Sequence, residues 1–355
     1  MFDKLLLRIL LLPASLLFGM GVAIKSMLYA TGLLSGVSFS IPVINVGNLT
    51  VGGSGKTPHV EYLIRLLSPY IHVATLSRGY KRSTKGFLIA KPRHTAEHVG
   101  DEPLMYARKY PQITVAVSES RVLGVPKLLQ THPQIQTILL DDAYQHRAIE
   151  PNFNILLTEY DDPFYRDWLL PSGRLREWRS AYKRADVIIV TKCPAEISGD
   201  QKDKIITGIN PLPAQRVFFT RYRYAVPYQM WAPQRREPIT GEHEILLVCG
   251  IARTKYLLDF LHAHAGAVKM LQYEDHHVYS RYDLEMIKKY FAHMTGSRRM
   301  ILTTEKDAMR LEAHYQFFRD HQLEVFILPV EVAFLFDDQN RFDNTIRNFL
   351  LQFKV

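Results

Sequence analysis

Cysteine is nearly absent from this chain: Cys193 and Cys249 are the only two in 355 residues. Their spacing gives no metal-ligand pair, and two thiols make no disulfide framework, which suits a reducing compartment. Acidic excess is lacking too. The net charge is +9, so the expected partners are anions: nucleotides, phosphorylated lipids, a membrane surface or nucleic acid. Internal repeats and low-complexity tracts are missing, which removes solenoids and disordered linkers. The chain also has no uncharged apolar run of the roughly 20 residues that a spanning helix needs. The longest, Ile9 to Ile24, falls short and is flanked by Arg8 and Lys25. No clean Ala-x-Ala site follows it, which disfavours a secretory signal. What is left is an apolar N-terminus, Leu5 to Leu34, interrupted by Arg8, Pro13 and Lys25. It predicts a helix in or dipping into a membrane interface, with its cations on anionic headgroups. The competing reading is a buried helix pair of the first domain.

With 47% hydrophobic residues, the chain is long enough for two domains with buried cores. Its most informative stretch is Gly52-Gly53-Ser54-Gly55-Lys56-Thr57-Pro58. A strand-like run, Val43 to Val46, precedes it, and Val60, Leu63, Ile64 and Leu67 recur after it at helical spacing. Strand, glycine loop, Lys-Thr and helix make a phosphate-binding loop. The glycines let successive N–H groups face an anion, and the helix N-terminus adds partial positive charge. Lys56 can reach the β- and γ-phosphates of a nucleotide, and Thr57 can ligate Mg²⁺. Thr50 stands where the usual pattern has glycine, so the nucleotide loop is read as Thr50, Val51, Gly52, Gly53, Ser54, Gly55, Lys56 and Thr57. A flexible glycine loop with a solvated lysine is the plain alternative.

Further strand-like runs follow at 72–76, 113–117, 137–140, 153–157 and 187–190, with helical runs at 104–109 and 122–130. Short apolar strands alternating with helices imply a mostly parallel α/β sheet covered on both faces. A looser stretch rich in Pro, Gln, Arg and Tyr, 194–242, suggests a domain boundary. A second, smaller α/β set follows it. The expected division is an apolar membrane-associated segment over 1–35, a phosphate-loop domain over 36–225, and a second α/β domain over 226–355 that closes on the site.

Several acids and imidazoles fit that frame. The run 137–140 ends in Asp141-Asp142, as in the strand beside a phosphate loop whose terminal Asp reaches Mg²⁺. Gln145 and His146 lie just beyond. Asp101 and Glu102 can cap the following helix, supply a general base, or touch a metal. Glu274 to His277 offers an imidazole beside carboxylates, suited to proton work, with no third ligand placed for a metal. Leu175, Trp178 and Tyr182 would share a helical face over 174–184, either a surface helix or a docking face for an anionic lipid. Lys306 follows a strand and either faces a phosphate or is solvated.

Taken in order, these stretches resemble the tetraacyldisaccharide 4'-kinase family of lipid A synthesis. The resemblance rests on Val46 to Thr50 running into the loop, Ser77 to Tyr80, Gly100 to Pro103, Asp141 to His146, Leu170 to Glu177, Asp275-His276 and Thr304 to Ala308. Thr50 belongs to that family's version of the loop. Ala143 stands where the family has glycine, and Cys249 to Arg253 is a reduced form of its glycine-rich stretch. The resemblance implies a two-domain kinase of the phosphate-loop class using ATP and Mg²⁺. Its implied acceptor is an acylated disaccharide 1-phosphate, and its implied location the cytoplasmic face of a bacterial inner membrane, on an anionic surface. Neither nucleic acid nor an obligate protein partner is implied. Asp101 corresponds to the base, His276 to its dyad partner and Lys56 to the phosphoryl-stabilising cation. Thr57, Glu102, Asp141 and Asp142 correspond to the Mg²⁺ shell, and Arg121, Gln145, His146, Arg174 and Arg176 to the substrate set. The rivals are a soluble phosphate-loop GTPase or ATPase and a non-catalytic nucleotide sensor. For guanine selection, Thr191-Lys192-Cys193-Pro194 lacks the needed carboxylate.

Overall fold

The computed structural model describes residues 2–354. Its larger sheet has nine strands in the order Val330–Phe334, Arg216–Tyr224, Val187–Thr191, Phe153–Glu159, Val43–Asn48, Thr137–Asp141, Val73–Ser77, Thr114–Val117 and Leu88–Ile89. Both edge strands are antiparallel to their neighbours and the interior pairs are parallel. The interior strands are apolar on both faces because helices cover both. On one face Val60, Leu63, Ile64 and Leu67 pack with Leu104 and Tyr106. On the other, Val125 and Leu128 pack over Leu76 and Leu140. Val43–Asn48 lies between Thr137–Asp141 and Phe153–Glu159, with Val46 level with Asp141. The glycine loop and the acid pair therefore emerge side by side at the carboxyl edge of the sheet, where open α/β sheets place their ligands.

A second sheet of six strands runs Ala232–Arg236, Tyr228–Gln229, Val325–Leu328, Arg298–Thr304, His243–Cys249 and Ala267–Gln272. The expected division at 226–355 needs one correction. Val330–Phe334 returns to the first sheet, antiparallel to Arg216–Tyr224, with Val330 beside Tyr224 and Phe334 beside Thr220. The terminal helix Gln339–Gln352 then buries Phe342 and Ile346 in the first core. Tyr62 donates to Asp343 Oδ1 at 2.7 Å, and Arg216 to Thr345 Oγ1 at 2.6 Å. Helical periodicity in the tail marks an apolar face without saying which core receives it.

The 174–184 segment also departs from expectation. It is no amphipathic α-helix. Residues 174–176 pair with the loop strand: Val51 N–H donates to the Arg174 carbonyl at 2.8 Å and Arg176 N–H to the Leu49 carbonyl at 2.7 Å. Backbone groups used there are lost to a helix, and only Arg179–Arg184 turns, as a 3₁₀ segment.

At the N-terminus, α1 (Phe2–Leu10) leads into α2 (Leu12–Ala30). By length and composition α2 is apolar enough to cross a membrane. Its small polar side faces the protein. Ser15 Oγ accepts the Ser172 N–H at 2.9 Å, Trp178 Nε1 donates to the Gly19 carbonyl at 2.8 Å, and Lys25 Nζ donates to the Gln145 carbonyl at 3.3 Å. A Cβ on Gly19 would come within 2.6 Å of the Trp178 ring, so glycine is required there. Leu16, Leu17, Phe18, Met20, Ile24 and Met27 point outward, 38–66% exposed. This inverts the usual amphipathic arrangement.

Lys109 ties the two bodies together. It pairs with Glu61 on α3 (Lys56–Leu67) at 2.9 Å and with Glu305 of the second body at 2.6 Å. Burial first, and Glu305 second, push the Glu61 carboxyl up to about 7 against the pull of Lys109. An acid with a raised folded-state pKa contributes stability below its unfolded value that is lost as pH rises through the folded value. Glu61→Gln should therefore melt like the parent near pH 5 and above it near pH 8. Parallel melting curves across that range would remove Glu61 from this role.

Candidate active site

The cleft between the bodies encloses about 690 Å³ and is lined by the whole Thr50–Thr57 loop, by Asp141 and Asp142, and by His276 and Lys306 from the second body. Gly55 ends the loop at φ 91° as the N-cap of α3, a left-handed conformation suited to glycine. Lys56 Nζ lies 3.3 Å from Asn48 Oδ1 and 3.6 Å from Asp142 Oδ2. Thr57 is in the first turn, 7% exposed.

Asp141 ends its strand buried, and Tyr106 Oη donates to its Oδ2 at 2.9 Å. Burial, then the charge of Glu102, raise its carboxyl to about 6. Burial would raise Asp142 as well, but Lys56 and Arg176 overcome it and hold that carboxyl far below the usual range. Arg176 Nη2 is 2.9 Å from Asp142 Oδ1. Glu102 is lowered to about 2: Lys306, its ion-pair partner, outweighs burial.

Asp101 opens the helix Asp101–Lys109. Its Oδ2 receives His276 Nδ1 at 2.8 Å and lies 3.3 Å from Arg310 Nε. His276 adopts φ 61°, a left-handed geometry unusual outside glycine, and the Tyr80 ring lies 5.1 Å from its own. The two residues the sequence set 175 positions apart thus share a hydrogen bond across the bodies. His276 lines the cleft and Asp101 lies behind it.

The substrate set divides. Arg121, Gln145, His146 and Arg176 line the same cleft. Arg121 donates to the Asp142 carbonyl at 3.2 Å and Gln145 Nε2 to the Asn48 carbonyl at 2.9 Å. Burial, then Arg121, lower the His146 pKa. Arg174 stands apart: its guanidinium is taken by Asp167 at 2.9 Å and Asp162 at 3.5 Å, and only its carbonyl meets the loop. The structure does not bring it into the cleft with the other four. Ala143 adopts no positive φ and packs in the core beside Leu140, so the missing glycine strains nothing.

Sequence reasoning missed Asn48, Tyr106 and Arg310. Arg310 was findable: it stands one helical turn after Lys306 in Glu305–Leu311, so both cations face the Asp101-Glu102 pair from one side. Asn48 lay inside the Val46 to Thr50 stretch without a role of its own being assigned, and Tyr106 carried no motif signal.

Among the described residues no group of three or more His, Cys, Asp or Glu side chains gathers to hold a metal alone. Mg²⁺ asks for less: one or two carboxylates, with phosphate oxygens and water completing its shell. Asp141, buried, is raised in part by the neighbouring charge of the partly buried Glu102, a repulsion that a cation would relieve.

A parallel sheet with a phosphate loop, a strand-end acid pair beside it, and a carboxylate–imidazole pair joining two bodies define a phosphate-loop kinase. A family model described as tetraacyldisaccharide-1-P 4'-kinase (LpxK) matches residues 7–351. The chain is 42% identical to a tetraacyldisaccharide 4'-kinase of Bacteroides fragilis, over 95% of this chain and 91% of that one. It is 41% identical to one of Flavobacterium johnsoniae, over 97% and 98%. A crystal structure of LpxK from Aquifex aeolicus in complex with ATP superposes with a TM-score of 0.74 at 28% identity, covering 97% of this chain and 99% of that one. The chain belongs to the tetraacyldisaccharide 4'-kinase family.

Proposed function

We propose that this protein is an ATP-dependent kinase that transfers the γ-phosphate to the 4'-hydroxyl of a tetraacylated glucosamine disaccharide 1-phosphate in lipid A synthesis. The observation that carries this reading is one cleft holding both the Thr50–Thr57 loop and the His276 imidazole bonded to Asp101. A nucleotide sensor has no use for a carboxylate–imidazole pair, and guanine selection has no carboxylate at 191–194.

In the reaction, the acceptor oxygen attacks the γ-phosphorus, the bond to ADP breaks, and the hydroxyl proton passes to the Asp101 carboxylate. His276 orients that carboxylate. Because it comes from the second body, the pair assembles only when the bodies meet, which limits idle hydrolysis. Lys56 stabilises charge on the transferring group, assisted by the N–H groups at the start of α3. Thr57, Asp141 and Glu102, with Asp142 beside them, are the groups to hold Mg²⁺, which when bound neutralises phosphate charge. Arg121, Gln145, His146 and Arg176 face the acceptor; the two arginines suit an anionic sugar lipid.

We assign the outward apolar face of α2 to the membrane, on the cytoplasmic side of a bacterial inner membrane. In support, apolar side chains point away from the protein while the polar ones point toward it, and Lys25 sits between the membrane face and the Gln145 backbone. Substrate and enzyme then meet in one interface.

Release of ADP from ATP, measured with and without vesicles carrying the disaccharide lipid, tests the reading. Strong stimulation by the lipid is expected. Equal release in both conditions would leave an ATPase.

A further inference from the structure

Thr191-Lys192 fails as a base-specificity motif, yet the structure puts it to another use. The strand Val187–Thr191 ends against the phosphate loop. Thr191 Oγ1 donates to the Ser54 carbonyl at 2.9 Å, and Lys192 Nζ donates to the carbonyl of Gly53. A third side chain completes the row. His59 is buried, and burial lowers its pKa to about 4, so the ring is neutral. Its Nδ1 lies 2.7 Å from the Gly55 carbonyl and its Nε2 3.1 Å from Thr220 Oγ1. A carbonyl only accepts, so the proton is on Nδ1. Three successive loop carbonyls are each held by a side chain from outside the loop.

In a planar trans peptide, fixing the carbonyl also fixes the direction of the N–H on the next residue. A glycine-rich loop has the backbone freedom to turn its carbonyls toward an incoming phosphate, which would repel it. The braces remove that freedom: with the Gly53 carbonyl held by Lys192, the Ser54 N–H of the same peptide stays turned onto the Gly52 carbonyl at 3.1 Å, and the loop keeps its turn. Lys192 is the notable member. It is 4% exposed and adopts φ 56°. Burying an ammonium is unfavourable unless it is paired. Glu159 Oε1, 3.2 Å away, provides the pairing. The other Glu159 oxygen is bound by Arg253 of the second body. Lys192 therefore occupies a buried, compensated position whose hydrogen-bonding outlet is the loop.

We propose that Lys192 is a positioning residue of the nucleotide site: its ammonium, held by Glu159, anchors the Gly53 carbonyl and keeps the loop in its anion-binding shape. The inference rests on the reading of the cleft as a phosphate-loop kinase site. It assigns Lys192 to nucleotide affinity, not to the chemical step and not to the lipid.

The test uses the full-length protein, with titration of ADP and a non-hydrolysable ATP analogue by calorimetry and steady-state kinetics on the lipid acceptor. Lys192→Met leaves Glu159 paired with Arg253, so no buried charge is orphaned and the nucleotide-free melting temperature should stay near the parent's. Nucleotide affinity and the KM for ATP should weaken at least about tenfold, the worth of a charged hydrogen bond. The KM for lipid should hold within about twofold, and Lys192→Arg should recover most of the loss. Thr191→Val removes only the Ser54 bond, leaves every charge in place, and should shift nucleotide affinity in the same direction by less. It carries the test if Lys192→Met does not fold. Unchanged nucleotide affinity in the folded variants would overturn the proposal. So would a fall in kcat with nucleotide affinity intact, which would make Lys192 a participant in the chemistry. A parent protein that binds nucleotide normally but phosphorylates no lipid would defeat the kinase reading and leave the brace standing.

Discussion

Asp101→Asn should lower kcat on the lipid acceptor by about 10²–10⁴-fold, the usual contribution of a general base, while nucleotide affinity stays within a few-fold of the parent. The substitution keeps the side-chain shape in a site that is 6% exposed. It leaves no cation stranded, because Arg310 retains Asp307 at 3.1 Å. Loss of rate therefore reports the missing base and not a collapsed site. His276→Ala should cost less than Asp101→Asn under the proposal, in which the imidazole orients the carboxylate without taking the proton. The geometry makes that comparison worth having: His276 lines the cleft and Asp101 lies behind it. A loss in His276→Ala equal to or greater than that in Asp101→Asn would assign the proton to the imidazole and the orienting role to the carboxylate. Near-normal turnover in Asp101→Asn would remove the pair from the chemistry.

The second large effect concerns the membrane. Replacing Leu17 and Ile24 together by glutamate should lower partitioning into anionic vesicles by about 10²–10⁴-fold, because each apolar side chain contributes roughly 1.5–3 kcal/mol on burial. Both residues face outward, 66% and 57% exposed, away from the Ser15–Gly19 side that packs on Ser172 and Trp178. Folding should be unaffected, and turnover on an acceptor dispersed in detergent should persist. Deleting residues 1–34 would likewise move the protein to the soluble fraction, but it also uncovers Trp178, so the paired substitution is the cleaner measurement. Vesicle binding equal to the parent's would shift docking to another surface.

Much of this was legible in the sequence, and the physical reasons differ by element. The loop strand, the Thr137–Asp141 strand and α3 announce themselves because buried parallel strands are apolar throughout and a half-buried helix repeats at 3.6. The loop's chemistry is local, so Lys56 and Thr57 could be read without a fold. The Asp101–His276 pair was available only through family resemblance. No local rule joins residues 175 apart, and each alone looks like a helix cap or a surface imidazole. What stayed hidden was hidden by backbone use. Leu175, Trp178 and Tyr182 have helical spacing, but the amide and carbonyl groups of 174–176 were already committed to Leu49 and Val51. The return of Val330–Phe334 to the first sheet is a choice between two apolar cores that composition cannot make. Lys192 was noticed for the motif it failed to complete, and its partner, the Gly53 carbonyl, is a backbone atom with no signature in sequence.

The central claim is phosphoryl transfer to a specific hydroxyl, and the most direct measurement follows the label. Incubated with ATP carrying ³²P at the γ position and the tetraacylated disaccharide 1-phosphate, the protein should place the label on the lipid at the 4'-oxygen, and a 4'-deoxy acceptor should receive none. Label released as inorganic phosphate at the same rate with either acceptor, and none on the lipid, would contradict the account.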